Sequence, residues 1–84
     1  MRIGLAWYEE RDYPAILAMM EDAYCLPATF ASWREKTERS ELALKGQGHE
    51  VIRATIAPGK FPAWCQSRGL GLNANARQLF AGRV

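Results

Sequence analysis

Only two stretches of this chain alternate as strands do, and that scarcity decides most of what it can fold into. Arg2 to Trp7 sets Ile3, Leu5 and Trp7 on one side and Arg2, Gly4 and Ala6 on the other. Glu50 to Ile56 is richer in β-branched residues, with Ile52, Ala54 and Ile56 on one face and Val51, Arg53 and Thr55 on the other. A lone strand leaves its backbone donors and acceptors unpaired and does not persist in water. Either the two stretches pair with each other, or Glu50 to Ile56 pairs with its copy in a second chain. An exposed edge is hard to avoid in both cases, which is a physical reason to expect a homodimer.

The rest of the chain reads as helix and turn. Asp12 and Pro14 open a helix expected from Tyr13 to about Tyr24, with Tyr13, Ile16, Leu17, Met20, Ala23 and Tyr24 on its apolar face and Glu21 and Asp22 pointing away. After Leu26-Pro27, Thr29 or Pro27 starts a second helix that runs to about Lys45, where Gly46 and Gly48 stop it. Its narrow seam is Phe30, Trp33, Thr37 and Leu44, and its middle turns are crowded with charge. Glu35 with Arg39 and Glu41 with Lys45 stand at the favourable i,i+4 offset.

Beyond the second strand, Pro58-Gly59 makes a turn and Pro62 fits the first turn of a short helix from Lys60 to Arg68, with Gly69 just past its end. Asn73 caps a last helix, Ala74 to about Gly82, whose buried positions are expected at Ala76, Leu79 and Phe80. The order is β-α-α-β-α-α. With 84 residues there is room for one core, so the expected fold is a single small α+β domain, its helices packed on a two-stranded sheet.

Charge is divided along the chain. From Met1 to Glu50, nine carboxylates oppose six cations; from Val51 to Val84, Arg53, Lys60, Arg68, Arg77 and Arg83 meet no acidic residue. Such a division suggests either a bound anion or a basic surface facing an acidic one, within the chain or between two copies. Arg68 and Arg77 bracket the start of the last helix, whose first N–H groups favour an anion. That loop, with Asn73, is the leading anion-binding candidate, and Arg53, Lys60 and Arg83 are secondary ones. The competing reading is that Asn73 satisfies the helix end and both Arg side chains are solvated.

Other patterns carry less. Gly69-Leu70-Gly71-Leu72-Asn73-Ala74 matches a dinucleotide fingerprint in letters, but it follows a helix instead of a strand, and a helix-ending Gly with an N-cap accounts for it. No cofactor is expected. Cys25, His49 and Cys65 are the only residues for a thiol–imidazole pair, and nothing in their spacing selects one; Cys65 reads as a core residue and His49 as a solvated loop residue. Two Cys and one His at these distances do not make a closed zinc site. Adjacent pairs such as Glu9-Glu10 and Glu21-Asp22 diverge on a helix and do not face a common substrate. The expectation is a chain without catalytic activity. No membrane span or export signal is visible, and the two thiols suit the cytoplasm.

Leu26-Pro27-Ala28-Thr29-Phe30 with Trp33, then Val51-Ile52-Arg53, Phe61, Trp64-Cys65, Ala76-Arg77 and Phe80-Ala81, resembles a group of small uncharacterised bacterial proteins of unknown function. In that group the turn after the strand tends to read Asp-Pro, where this chain has Ala57-Pro58. The resemblance implies a bacterial cytoplasmic protein and brings no activity or site residue. Two roles follow from the residues themselves: a small binding or interaction module that self-associates, or a nucleic-acid-associated accessory protein whose basic C-terminal half contacts phosphate backbone.

Overall fold

The computed structural model describes residues 1–83. Strand β1 (Arg2–Trp7) leads through a 3-10 turn to helix α1 (Tyr13–Met19), then through a second 3-10 turn to α2 (Phe30–Gly46). Strand β2 (Glu50–Thr55) follows, then α3 (Phe61–Ser67) and α4 (Ala74–Ala81). The expected order of strands and helices is present. The two strands pair with each other, in parallel, with Ile3 beside Val51 and Leu5 beside Arg53.

That register explains why the sheet has helices on both faces. In-register neighbours of a parallel pair point the same way, so Ile3, Leu5 and Trp7 share a face with Val51, Arg53 and Thr55. Ile52, Ala54 and Ile56 lie on the opposite face, with Gly4 and Ala6. The larger apolar side chains of the two strands therefore point in opposite directions, and one helical layer cannot cover both. Helix α2 covers the first face, where Trp33 meets Trp7 edge-on at 5.0 Å, and Tyr8, Tyr13 and Phe30 close round it. Helix α4 lies over the second face, with its Ala74, Gln78 and Ala81 beside Gly4 and Ala6. Phe61, Trp64 and Phe80 form a second aromatic group on that side. Tyr8, Ile16, Ile56, Phe61 and Cys65 anchor the interior as fully buried side chains.

Helix ends follow the sequence signals except in α1, where Asp12 is itself helical and makes no side-chain capping bond. Thr29 caps α2 by accepting from the Ser32 N–H, and Asn73 caps α4 by accepting from the Ala76 N–H. At the end of α3, Leu70 N–H donates to Cys65 O and Gly69 N–H to Gln66 O, the paired bonds of a Schellman ending. Gly69 takes φ +66°, where an L side chain is strained.

Helix α1 also stops at Met19 instead of continuing to Tyr24. Met20 is extended, Glu21 N–H donates to Leu72 O, and Tyr24 is 87% exposed. Glu21 and Asp22 therefore turn toward α4 instead of pointing away from the protein. In α4 the expected core residue Leu79 is 51% exposed, and Arg77 is buried in its place. No described helix is long and apolar enough to cross a membrane.

Candidate functional site

The start of α4 brings together two of the three leading anion-site candidates, Asn73 and Arg77, with carboxylates of the turn after α1, while Arg68 lies apart against Trp64. Asn73 Oδ1 accepts from Ala76 N–H at 3.1 Å, and its amide nitrogen donates to Glu21 Oε1 at 3.3 Å. Arg77 donates to Asp22 through two nitrogens, at 2.7 and 3.0 Å, and Asp22 Oδ2 also accepts from Ala74 N–H at 3.0 Å. The anion-favouring end of α4 thus holds a carboxylate of this chain. Hydrogen bonds from Arg77 pull the Asp22 carboxyl below its ordinary value, against the opposing effect of burial, and the Ala74 N–H adds to the pull. The nearby Tyr8 hydroxyl is pushed up to about 12 by burial, partly offset by the Arg77 charge.

The paired glycines of the loop have separate structural duties. Gly69 supplies the positive φ that ends α3, while a Cβ at Gly71 would sit 2.6 Å from Glu21 Oε1. The fingerprint-like letters therefore belong to a helix ending and a close approach.

The second internal match is on the other face of the sheet. Arg53 donates to both oxygens of Glu41, at 2.8 and 2.9 Å, and its guanidinium lies 3.8 Å from the Trp7 ring centre. Glu41, expected to pair with Lys45, is buried beneath that guanidinium. Its carboxyl is lowered chiefly by the Arg53 hydrogen bonds, which outweigh burial. An Arg fork satisfies both carboxylate oxygens at once, a geometry that a single lysine amine cannot supply.

The other cations stay at the surface. Lys60 precedes α3 and is exposed. Arg68 lies 4.7 Å from the Trp64 ring centre; Arg83 lies 5.6 Å from the same ring and 4.6 Å from that of Phe80. Arg53, Thr55, Phe80 and Arg83 line an open groove of about 370 Å³ beside β2. A second groove of similar volume follows β1, lined by Gly4, Leu5, Ala6 and by Ala74, Arg77, Gln78 and Ala81 of α4.

The thiols do not join in a site. Cys65 is buried on α3, with its pKa raised by that burial, whereas Cys25 is exposed. His49, read from the sequence as solvated, is half-buried with its Nδ1 enclosed. Among the described residues no three His, Cys, Asp or Glu side chains are grouped to hold a metal ion.

No protein-family model, curated protein or solved structure gives a significant match to the chain.

Asp22 and Glu41 are the residues that sequence reasoning missed. The only signal for them was the charge division itself, which required partners without saying which. For Arg77 a finer signal existed: with Ala74, Gln78 and Ala81 it occupies i, i+3, i+4 and i+7 of one small-residue face.

Proposed function

We propose that this chain is a small non-catalytic interaction module that self-associates by strand addition along the free edge of β1. The supporting observation is the direction of the backbone groups. Glu50 N–H donates to Met1 O at one end of the ladder and Ile56 N–H to Trp7 O at the other. The alternation between them turns Ile3, Leu5 and Trp7 toward β2 and leaves Arg2, Gly4 and Ala6 facing outward. By the same alternation Val51, Arg53 and Thr55 face outward on β2.

The two edges differ in bulk. Outward positions on β2 are the larger residues Val51, Arg53 and Thr55, with Arg53 held by Glu41 over the Trp7 ring. On β1 the positions after Arg2 are the small residues Gly4 and Ala6, with neither charge nor proline, and the groove between them and α4 is lined on the helix side by Ala74, Arg77, Gln78 and Ala81. A second copy of β1 fits that edge, completing a four-stranded sheet with two antiparallel central strands and closing the isologous contact of a two-fold dimer. The separate thiols, one buried and one exposed, support the cytoplasmic setting expected from the sequence.

Light scattering across a dilution series tests the reading. The expected result is a mass that rises toward twice that of the chain with concentration, together with protection of the Gly4 and Ala6 amides from hydrogen exchange only in concentrated samples. Ala6→Pro removes an outward N–H and leaves the β1–β2 ladder intact, so it should yield a folded monomer. A strictly monomeric wild-type chain whose Gly4 and Ala6 amides exchange freely at every concentration would refute the proposal.

A further inference from the structure

A separate surface, at the β2 side of the sheet, goes beyond self-association. We propose that Arg68, Trp64, Phe80 and Arg83 form a binding strip for single-stranded nucleic acid without sequence preference. Of the five C-terminal cations, Arg53 and Arg77 have carboxylate partners, and Arg68 and Arg83 have none among the described residues. The two unpaired guanidinium groups converge on one ring, at 4.7 and 5.6 Å from the Trp64 centre. Neither guanidinium is neutralised by a carboxylate among the described residues, so both are open to an anionic group.

The floor of the strip is aromatic and continuous. Trp64 and Phe80 meet edge-on with centres 5.1 Å apart, and Arg83 reaches from both rings into the groove that Phe80 shares with Arg53 and Thr55. At about 370 Å³ this groove falls within the size range of small-molecule sites. Guanidinium groups offer a fork to phosphate oxygens and a plane on which a base stacks, and the half-buried Trp64 and Phe80 rings hold the two arginines in place. A single strand presents phosphate and unpaired bases together and uses both properties. An acidic peptide uses only the charge, and a duplex hides its base faces. The strip does not involve the outward edge of β1, so the two proposals stand or fall separately.

Fluorescence anisotropy with labelled oligo(dT) and oligo(U) provides the test. Both should bind at low salt and weaken as salt rises, with a log–log slope of roughly −1.4 if Arg68 and Arg83 each neutralise one phosphate of a single strand. Arg68→Ala with Arg83→Ala changes only exposed side chains, and circular dichroism checks the fold; it should reduce affinity at least tenfold. Arg68→Lys with Arg83→Lys keeps the charge and loses planar stacking, so it should retain most of the slope with weaker binding. The proposal is overturned by an absence of binding at low salt, by unchanged binding in the double alanine variant, or by a poly-glutamate peptide that competes as strongly as the oligonucleotides.

Discussion

Asp22 grips Arg77 through both carboxylate oxygens, tying the turn after α1 to the face of α4 that lies on the sheet. Both side chains are nearly buried, at 13% and 9% exposure. A desolvated guanidinium that loses its partner is costly, so Asp22→Ala should destabilise the fold by about 3–5 kcal/mol. That is a large part of the roughly 5–15 kcal/mol that holds a domain together. Urea unfolding of the two proteins measures it, and a loss below about 1 kcal/mol would show that the pair is not carrying the α1–α4 connection.

Acid should erase the same contribution. The folded-state pKa of Asp22 lies below its ordinary value near 3.8, so the stabilisation is complete above that value and is lost as pH falls through the lowered one. Glu41 follows the same sign from its ordinary 4.5. The difference in melting temperature between wild type and Asp22→Asn should stay constant from neutral pH to about 5, then shrink toward pH 2.

Ion pairs of α2 should rank by burial. Glu41 is 8% exposed against Arg53, whereas Arg34 and Glu38 are 52% and 44% exposed. Double-mutant cycles to alanine should give a coupling of roughly 1–2 kcal/mol for Glu41–Arg53, between the surface and buried limits, and about 0.3–0.5 kcal/mol for Arg34–Glu38. Salt should weaken the second far more than the first.

Backbone geometry at the end of α3 predicts a penalty that space does not. A Cβ at Gly69 meets no atom within 4 Å, yet φ is +66°. Gly69→Ala should therefore cost about 1–2 kcal/mol through conformation alone, measured by thermal unfolding. Replacement by Asn, which tolerates this region, should cost less than Ala.

Thiol chemistry separates the cysteines. Cys25 is exposed and should react with a maleimide or disulfide reagent in the native state, while Cys65 should react only after denaturation, because burial both encloses it and raises its pKa. Mass spectrometry of the labelled peptides distinguishes the two. Rapid native labelling of Cys65 would contradict the packing of α3.

Local signals were legible because they act within a few residues. Thr29 and Asn73 as caps, Gly69 as a helix ending, and the alternation of both strands are decided by backbone hydrogen bonds and φ, and each is found where the sequence placed it. The burial of Cys65 and Trp33 also followed from helical spacing. Spacing failed where a distant charge intervened. Past Met19 the chain leaves the helix, Glu21 binds the loop before α4 and Asp22 binds Arg77, so Tyr24 emerges into solvent. On α4, Arg77 replaced Leu79 as an inward residue because a bidentate carboxylate awaited it.

Thus the sequence alone determined that two strands and a set of capped helices would form a small α+β unit, and that its acidic and basic portions needed counterions. Tertiary structure decided the parallel register, which sends the large apolar side chains of β1 and β2 to opposite faces and demands helices on both. It also decided which cations find a partner: Arg77 with Asp22 and Arg53 with Glu41, leaving Arg68 and Arg83 on aromatic rings. Caps and turns follow from neighbours along the chain. Ion pairs depend on which side chains the packed helices bring within hydrogen-bonding distance, and no local pattern encodes that distance.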